Sequence, residues 1–211
     1  MKNKNYLKIM TDDGYSAQNI DDFHRISIPY LGKIYFPNKN SKILDIGAGS
    51  GLSIFPLKNE GYKNLQAIDI DDYNKKLFES NKIKFNKINV EIEKLPFEDN
   101  SLDVILSFFV IAHLNNPTNY LDEINRVLRQ DGVFILVTPD WRKQYKTFWR
   151  DYTHIHPYDK ISLEKLLRGH DFKIKIIKSF GVFRGIGKTK LWKLIKPLIF
   201  TGINIITIAT K

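Results

Sequence analysis

The sequence predicts an α/β protein built on one open, twisted and largely parallel sheet, and three observations predict it. Between Lys42 and Pro139, short apolar runs alternate with segments of helical periodicity, a βαβ rhythm. The first run ends in the glycine-rich turn of "SKILDIGAGSGL", Ser41 to Leu52, where a strand feeds a helix. Two late apolar runs, "KIKIIKSFG" and "INIITIAT", close the chain. At 211 residues the chain is long enough to bury one such core and short for two, so residues 1–211 are read as a single domain.

Residues 1–40 are polar and aromatic, with a helix predicted over "AQNIDDFHRISIPYLGKIY", where Ile20, Phe23, Ile26 and Ile28 form an imperfect apolar stripe. This segment reads as an N-terminal helical cap. Then follow "KILDIG" as strand, "GLSIFPLKNEG" as short helix, "LQAIDI" as strand, "DDYNKKLFESN" as helix and "KFNKINVEI" as strand. "LDVILSFFV" is the fourth strand and "VFILVTP" the fifth. The helix between them marks its own ends: Asn116 as cap, Pro117 in the first turn, a face of Tyr120, Leu121, Ile124, Val127 and Leu128, and Gly132 as its stop. "SLEKLLRGHDF" is a short amphipathic helix, and the two late strands complete a sheet of seven. In open sheets of this kind ligands bind beyond the carboxyl ends of the strands, so residues just after strands carry the interest.

Hydrophobic residues make up 43% and charged residues 27%, ordinary globular values that exclude a disordered or fibrous chain. There is no cysteine, which excludes disulfides, thiolate catalysis and cysteine-type zinc sites. The N-terminus has no apolar core of signal-peptide length, and no stretch reaches the roughly 18 uncharged apolar residues that would span a bilayer. The expected location is the cytoplasm. The net charge of +10 is concentrated late: from Arg150 to Lys211 stand 13 basic and 4 acidic residues, and beyond Asp171 there is no acid. The first two thirds are near neutral, so attraction to anions belongs to the C-terminal third, unless the lysines simply form a solvated face.

Gly47, Gly49 and Gly51 give the spacing G-x-G-x-G, whereas the dinucleotide fingerprint is G-x-G-x-x-G. The glycines alone leave the ligand open. Asp45, two residues earlier at the strand's end, narrows it: a carboxylate there repels a pyrophosphate and attracts an ammonium or sulfonium. S-adenosylmethionine fits that description and NAD does not. Asp69 ends the second strand 24 residues later, where an acid accepts hydrogen bonds from an adenosine ribose. Asp71 and Asp72 read as a helix start.

Taken in order, "ILDIGAGSG", "AIDIDD", "EIEKLPFEDNSLDVILSFFVIAHL" and "LDEINRVLRQDGVFILVTP" resemble the successive motifs of class I S-adenosylmethionine-dependent methyltransferases, in particular the small-molecule branch typified by quinone-biosynthesis enzymes. The resemblance covers residues 42–140. It implies a Rossmann-like sheet of order 3-2-1-4-5-7-6 with the last strand antiparallel. It also implies that Asp45, Gly47 and Gly49 surround the methionine end, that Asp69 holds the ribose hydroxyls, that Glu91 and Ile92 flank the adenine, and that Ser107 and Phe108 sit beneath the sulfonium. Glu91 stands where that family usually has Asp, and either carboxylate accepts from an adenine amino group.

Methyl transfer requires an aligned nucleophile and, for a hydroxyl or other acidic group, removal of a proton. Two histidine neighbourhoods qualify. His113 follows the fourth strand, either as a helix-capping or packing residue or as a catalytic one. After the fifth strand, within an active-site loop over 141–160, "WRDYTHIHPYD" places Asp151 three residues before His154 and five before His156. Either histidine can act as general base with Asp151 orienting it, or the loop's histidines satisfy local backbone. The spacing D-x-x-H-x-H suggests a metal, but the sequence shows no further ligand cluster and no metal is assigned. This loop and the segment after it look like those of methyltransferases of cell-surface polysaccharide or glycolipid synthesis. Trp141, Tyr145, Phe148 and Trp149 suit stacking on a sugar or aromatic ring, or simple packing.

"GVFRGIGKTK" is not a phosphate loop, since five residues separate Gly181 from Gly187 where that motif requires four. "KTKLWKLIKPLIF" interleaves Lys188, Lys190, Lys193 and Lys196 with apolar residues, so 181–202 reads as a basic lid that touches an anionic membrane surface or packs on the sheet. The expected partner is a small or lipid-linked acceptor, methylated at oxygen or nitrogen of a saccharide-type molecule. A quinone-type acceptor and a non-catalytic cofactor-binding protein are the alternatives. Nucleic acid is disfavoured, because "SFFV" lacks the D/N-P-P-Y/F segment of enzymes methylating exocyclic base amines.

Overall fold

The computed structural model describes residues 17–180 and 202–211; the basic lid, apart from Gly202, and the first 16 residues lie outside them. The elements are α1 (Ala17–Tyr35), β1 (Lys42–Ile46), α2 (Phe55–Asn59), β2 (Asn64–Asp69), α3 (Lys75–Ser80), β3 (Lys84–Lys87), β4 (Leu102–Phe108), α4 (Thr118–Val127), β5 (Leu128–Pro139), α5 (Trp141–Gln144), α6 (Lys160–Gly169), β6 (Lys173–Phe180) and β7 (Asn204–Thr210). The strands form one sheet of order β3-β2-β1-β4-β5-β7-β6. The first five pair in parallel, and β7 runs antiparallel to both β5 and β6, as the resemblance implies. Strand order reverses between β1 and β4, which opens a crevice at their carboxyl ends.

Alternation along each strand divides the core into two layers. On one face Ile43, Ala67 and Val104 pack with Ile28 and Leu31 of α1 and Leu57 of α2. On the other, Leu44, Ile68 and Ile105 pack with Leu121 of α4 and Leu163 and Leu167 of α6. Each of the buried Val, Leu and Ile side chains among them contributes about 1.5–3 kcal/mol. The parity puts Asp45 and Asp69 on the α1 side and Ser107 on the α4 side. Asp159 caps α6 by accepting from the Ser162 amide at 2.8 Å, while Ser162 Oγ accepts from the Asp159 amide at 3.0 Å.

Two predicted boundaries move. The helix expected to run to Gly132 stops at Val127, and Leu128 already pairs with Leu102 of β4. Asp131 adopts φ +58°, and a side chain at Gly132 would crowd the Arg129 carbonyl at 2.8 Å, so the glycine serves a bulge in β5 rather than a helix stop. Asn116 still satisfies the helix start, its Oδ1 accepting from the Thr118 amide at 3.0 Å. The third strand, expected to reach Ile92, ends at Lys87, because Asn89 begins a turn closed by the Ile92 and Glu93 amides on its carbonyl. Among the described residues no helix is long and apolar enough to cross a membrane.

Candidate active site

At the carboxyl end of β1 the chain turns through Gly47, Gly49 and Gly51, with φ of +70°, +50° and +82°. All three lie in the left-handed region that favours glycine. A side chain at Gly47 would collide with Val110, which follows β4, so the two strand ends meet across this turn. The Gly47 and Ala48 amides donate to the Ile68 carbonyl at 2.9 and 3.1 Å, and Asn74 Nδ2 donates to the Gly49 carbonyl at 3.0 Å.

Asp45 sits just before this turn and is 1% exposed. Neither of its carboxylate oxygens has a hydrogen-bond partner among the described residues. Burial pushes its pKa well above the ordinary carboxylate value, and the nearby charge of Asp69 adds to the shift. Asp69 is also raised by burial, although its Oδ2 accepts from the Gly49 amide at 2.8 Å and its Oδ1 from the Asp71 amide at 3.3 Å. One buried, unpartnered carboxylate beside a half-buried one suits a cation-bearing ligand.

Glu91 and Ile92 lie in the loop after β3. Glu91 is engaged by the chain: Oε1 accepts from the Asn116 amide at 2.9 Å and Oε2 from Asn115 Nδ2 at 3.3 Å, which ties its loop to the start of α4 and leaves each oxygen a further lone pair. Ile92 is 75% exposed, and Ile70, which follows Asp69, is 56% exposed. Such apolar surfaces suit a planar ring. Ser107 is fully buried, and its hydroxyl lies beside that of Tyr120 on the α4 side, turned away from the Asp45 layer. Only its backbone remains for the crevice, since strand alternation decides the direction.

A second constellation forms where the loops after β4 and β5 meet. The Ala112 carbonyl accepts from the Ile155 amide at 2.7 Å and the His156 amide at 3.1 Å, pinning the second loop onto the first. His113 and His154 are thereby brought together, ring centroids 4.7 Å apart, with Asp151 between the loops and buried. Thr153 Oγ1 donates to Asp151 Oδ1 at 2.6 Å and lies 2.9 Å from His113 Nδ1. His154 Nδ1 is 2.7 Å from the Phe148 carbonyl, which can only accept, so Nδ1 carries a proton and in the neutral ring Nε2 is the acceptor. His154 Nε2 faces Asp151 Oδ2 at 3.8 Å, and its ring stacks on Phe148 at 4.3 Å. Burial, reinforced by His154, lowers the His113 pKa, so its neutral form is favoured.

Of the residues singled out in the sequence, His113, Asp151 and His154 are thus brought together, whereas His156 is turned to the Asn115 carbonyl at 3.0 Å. Phe148 and Trp141 are packing residues, edge to face at 5.6 Å, while Tyr145, Trp149 and Tyr152 are exposed beside the loop. Thr153, Ile70 and Asn74 escaped the sequence reading. Thr153 stands inside the D-Y-T-H string and was legible as a hydroxyl next to the acid; the other two carry no signal of their own.

Residues 44–136 match the family model described as a methyltransferase domain. The chain is 29% identical over 136 residues to a ubiquinone/menaquinone biosynthesis C-methyltransferase of Rickettsia felis, covering 59% of this chain and 54% of that protein. It thus spans about half the length of that relative. It is also 29% identical over 203 residues to an uncharacterized protein of Methanocaldococcus jannaschii, covering 94% of this chain and 80% of the other. Among solved structures, a SAM-dependent methyltransferase from Archaeoglobus fulgidus shares the fold with a TM-score of 0.71 at 19% identity, covering 98% of this chain and all of that one.

Proposed function

We propose that this chain is a class I S-adenosylmethionine-dependent methyltransferase acting on a small or lipid-linked acceptor. The observation that carries the reading is the orphaned, buried Asp45 carboxylate beside the glycine turn. It fits a ligand with a positively charged end, and it disfavours a pyrophosphate. When bound, S-adenosylmethionine supplies a methyl group already activated by its sulfonium. In this reading Asp45, with Gly47 and Gly49, receives the methionine end, Asp69 accepts from the ribose hydroxyls, and Ile70 and Ile92 flank the adenine. Glu91 shapes the adenine side by fixing its loop to Asn116.

The acceptor side is the loop cluster. Its two imidazoles suit a hydroxyl or protonated amine that must lose a proton as it is methylated. His154 carries the clearest role, since the Phe148 carbonyl takes the Nδ1 hydrogen bond and so makes Nε2 the proton acceptor of the neutral ring. Asp151 holds the loop and the charge, and His113 completes the wall. Tyr145, Trp149 and Tyr152, exposed alongside, favour an acceptor with a saccharide or aromatic face, of the kind expected in polysaccharide or glycolipid synthesis. A quinone-type acceptor methylated at carbon is the second reading, supported by the likeness to the Rickettsia felis protein.

The test is transfer of labelled methyl from S-adenosylmethionine into fractions of a cell extract. A labelled small-molecule or lipid fraction is expected, and His154→Ala should lower its rate by about 10²–10⁴-fold, with cofactor affinity within about twofold of the unmodified protein. Retention of the cofactor without transfer into any fraction would make this a binding protein and sink the catalytic reading.

A further inference from the structure

We propose that the loop after β5 and the first turn of α6, residues 141–161, form a surface that docks the protein on an anionic lipid bilayer beside the acceptor loops. Large apolar side chains stand in solvent here: Tyr145, Trp149 and Ile161 are each more than half exposed, and Ile155 is exposed on the same loop. Single exposed apolar residues are ordinary, but four in one short stretch call for a partner.

The stretch is held together by its own contacts. Trp149 packs edge to face on Phe148, ring centroids 5.0 Å apart, and on Trp141 at 6.1 Å. The Trp141 amide donates to the Tyr158 carbonyl at 2.9 Å and Arg142 Nε meets Asp159 Oδ2 at 2.7 Å, which binds the start of α6, and so Ile161, to α5. Lys146 Nζ lies 5.7 Å from the Tyr145 ring centroid, so ring and cation are presented together.

Charge points to the occupant. Between Trp141 and Tyr158 stand Arg142, Lys143, Lys146 and Arg150, all exposed, against one acid, Asp151, which is buried. Lys143 Nζ donates to Ser179 Oγ and to the Gly202 carbonyl, both at 2.8 Å, so α5 adjoins the points where the chain leaves β6 and returns toward β7. The sequence between those points holds five basic residues and no acid. Cations alone would suit nucleic acid equally, but exposed isoleucines find nothing to bury against on a phosphate backbone. At a bilayer surface, Trp and Tyr rings settle at the headgroup level, aliphatic side chains lie below them and cations meet the phosphates. What the surface serves rests on the methyl-transfer reading: it narrows the acceptor to a lipid-linked one, whose head group lies at the level of Tyr145 and Trp149. The aromatic face that favours a saccharide and the one that meets lipid are then the same.

The experiment is co-sedimentation of the full-length protein with vesicles of equimolar phosphatidylcholine and phosphatidylglycerol. Binding is expected to these and not to vesicles of phosphatidylcholine alone, and it should fall as NaCl is raised. With circular dichroism as the fold control, Lys146→Glu combined with Arg150→Glu should weaken binding by at least about tenfold. Ile161→Ser should weaken it by about three- to tenfold. In a protein carrying Trp141→Phe and Trp192→Phe, Trp149 is the only tryptophan, and its emission should shift to the blue on adding the anionic vesicles. No binding to anionic vesicles, equal binding by the loop variants, or an unshifted Trp149 emission overturns the proposal. Retention on a DNA duplex without vesicle binding also overturns it and assigns the surface to a different polyanion. Because the sedimentation contains neither S-adenosylmethionine nor acceptor, this failure is distinct from a failure of methyl transfer.

Discussion

The Asp45 carboxylate, buried without a partner among the described residues, costs the ligand-free protein stability. Its folded pKa is raised above the unfolded value, chiefly by burial and then by Asp69. The folded state therefore binds the proton more tightly, and the stability this contributes is present below the ordinary value of 3.8 and lost as pH rises through the folded value. Asp45→Asn should accordingly unfold at a higher temperature than the unmodified protein at pH 8 without cofactor. The difference should shrink as the pH falls toward 4, when thermal unfolding is followed across that range. A difference independent of pH would mean that the carboxylate is not titrating in the folded state. Asp45 was legible in the sequence because charge at a strand end selects among ligands by sign alone. The engagement of Glu91 was not, since Asn115 and Asn116 reach it only once β3 and β4 are placed in the sheet.

Between elements, Arg126 of α4 does most to position the loop "LPFED". Its guanidinium holds Glu123 at 2.7 Å through Nε and a terminal nitrogen, donates to the Leu95 and Phe97 carbonyls at 3.0 and 2.9 Å, and meets Asp99 at 2.6 Å. Glu123 in turn accepts from the Leu95 amide at 2.6 Å, and Arg126 lowers the Glu123 pKa. Truncation leaves two carbonyls and two carboxylates, Glu123 and the more exposed Asp99, to find new partners. Arg126→Ala should cost about 2 kcal/mol, a fall in Tm of roughly 4–8 °C at this chain length. Denaturant unfolding checks it, and a change under 0.5 kcal/mol, roughly what an ordinary surface substitution costs, would contradict it. Helix periodicity predicted the buried face of α4, yet placed its end at Gly132 because glycine after an apolar stripe signals a stop as readily as a bulge. The meeting of His113 with His154 was beyond any local signal. It depends on the Ala112 carbonyl capturing two amides from a loop more than 40 residues away.

At the scale of the whole molecule, βα alternation was enough to predict an open parallel sheet, because parallel strands need crossovers and crossovers show as helical periods. The seven-strand order came through the resemblance, and the pairing of β7 between β5 and β6 agrees with it. What the sheet achieves is to bring the orphaned Asp45 carboxylate, the half-buried Asp69 and a glycine turn to the same crevice. Methyl transfer by this fold requires that crevice to take S-adenosylmethionine. Isothermal titration of the ligand-free protein with S-adenosylmethionine should show one site per chain, weakened by at least about tenfold in Asp69→Ala, the scale expected for losing hydrogen bonds to a charged group. NAD should give no heat of binding. No binding of S-adenosylmethionine, or binding of equal strength in the unmodified protein and Asp69→Ala, would contradict it.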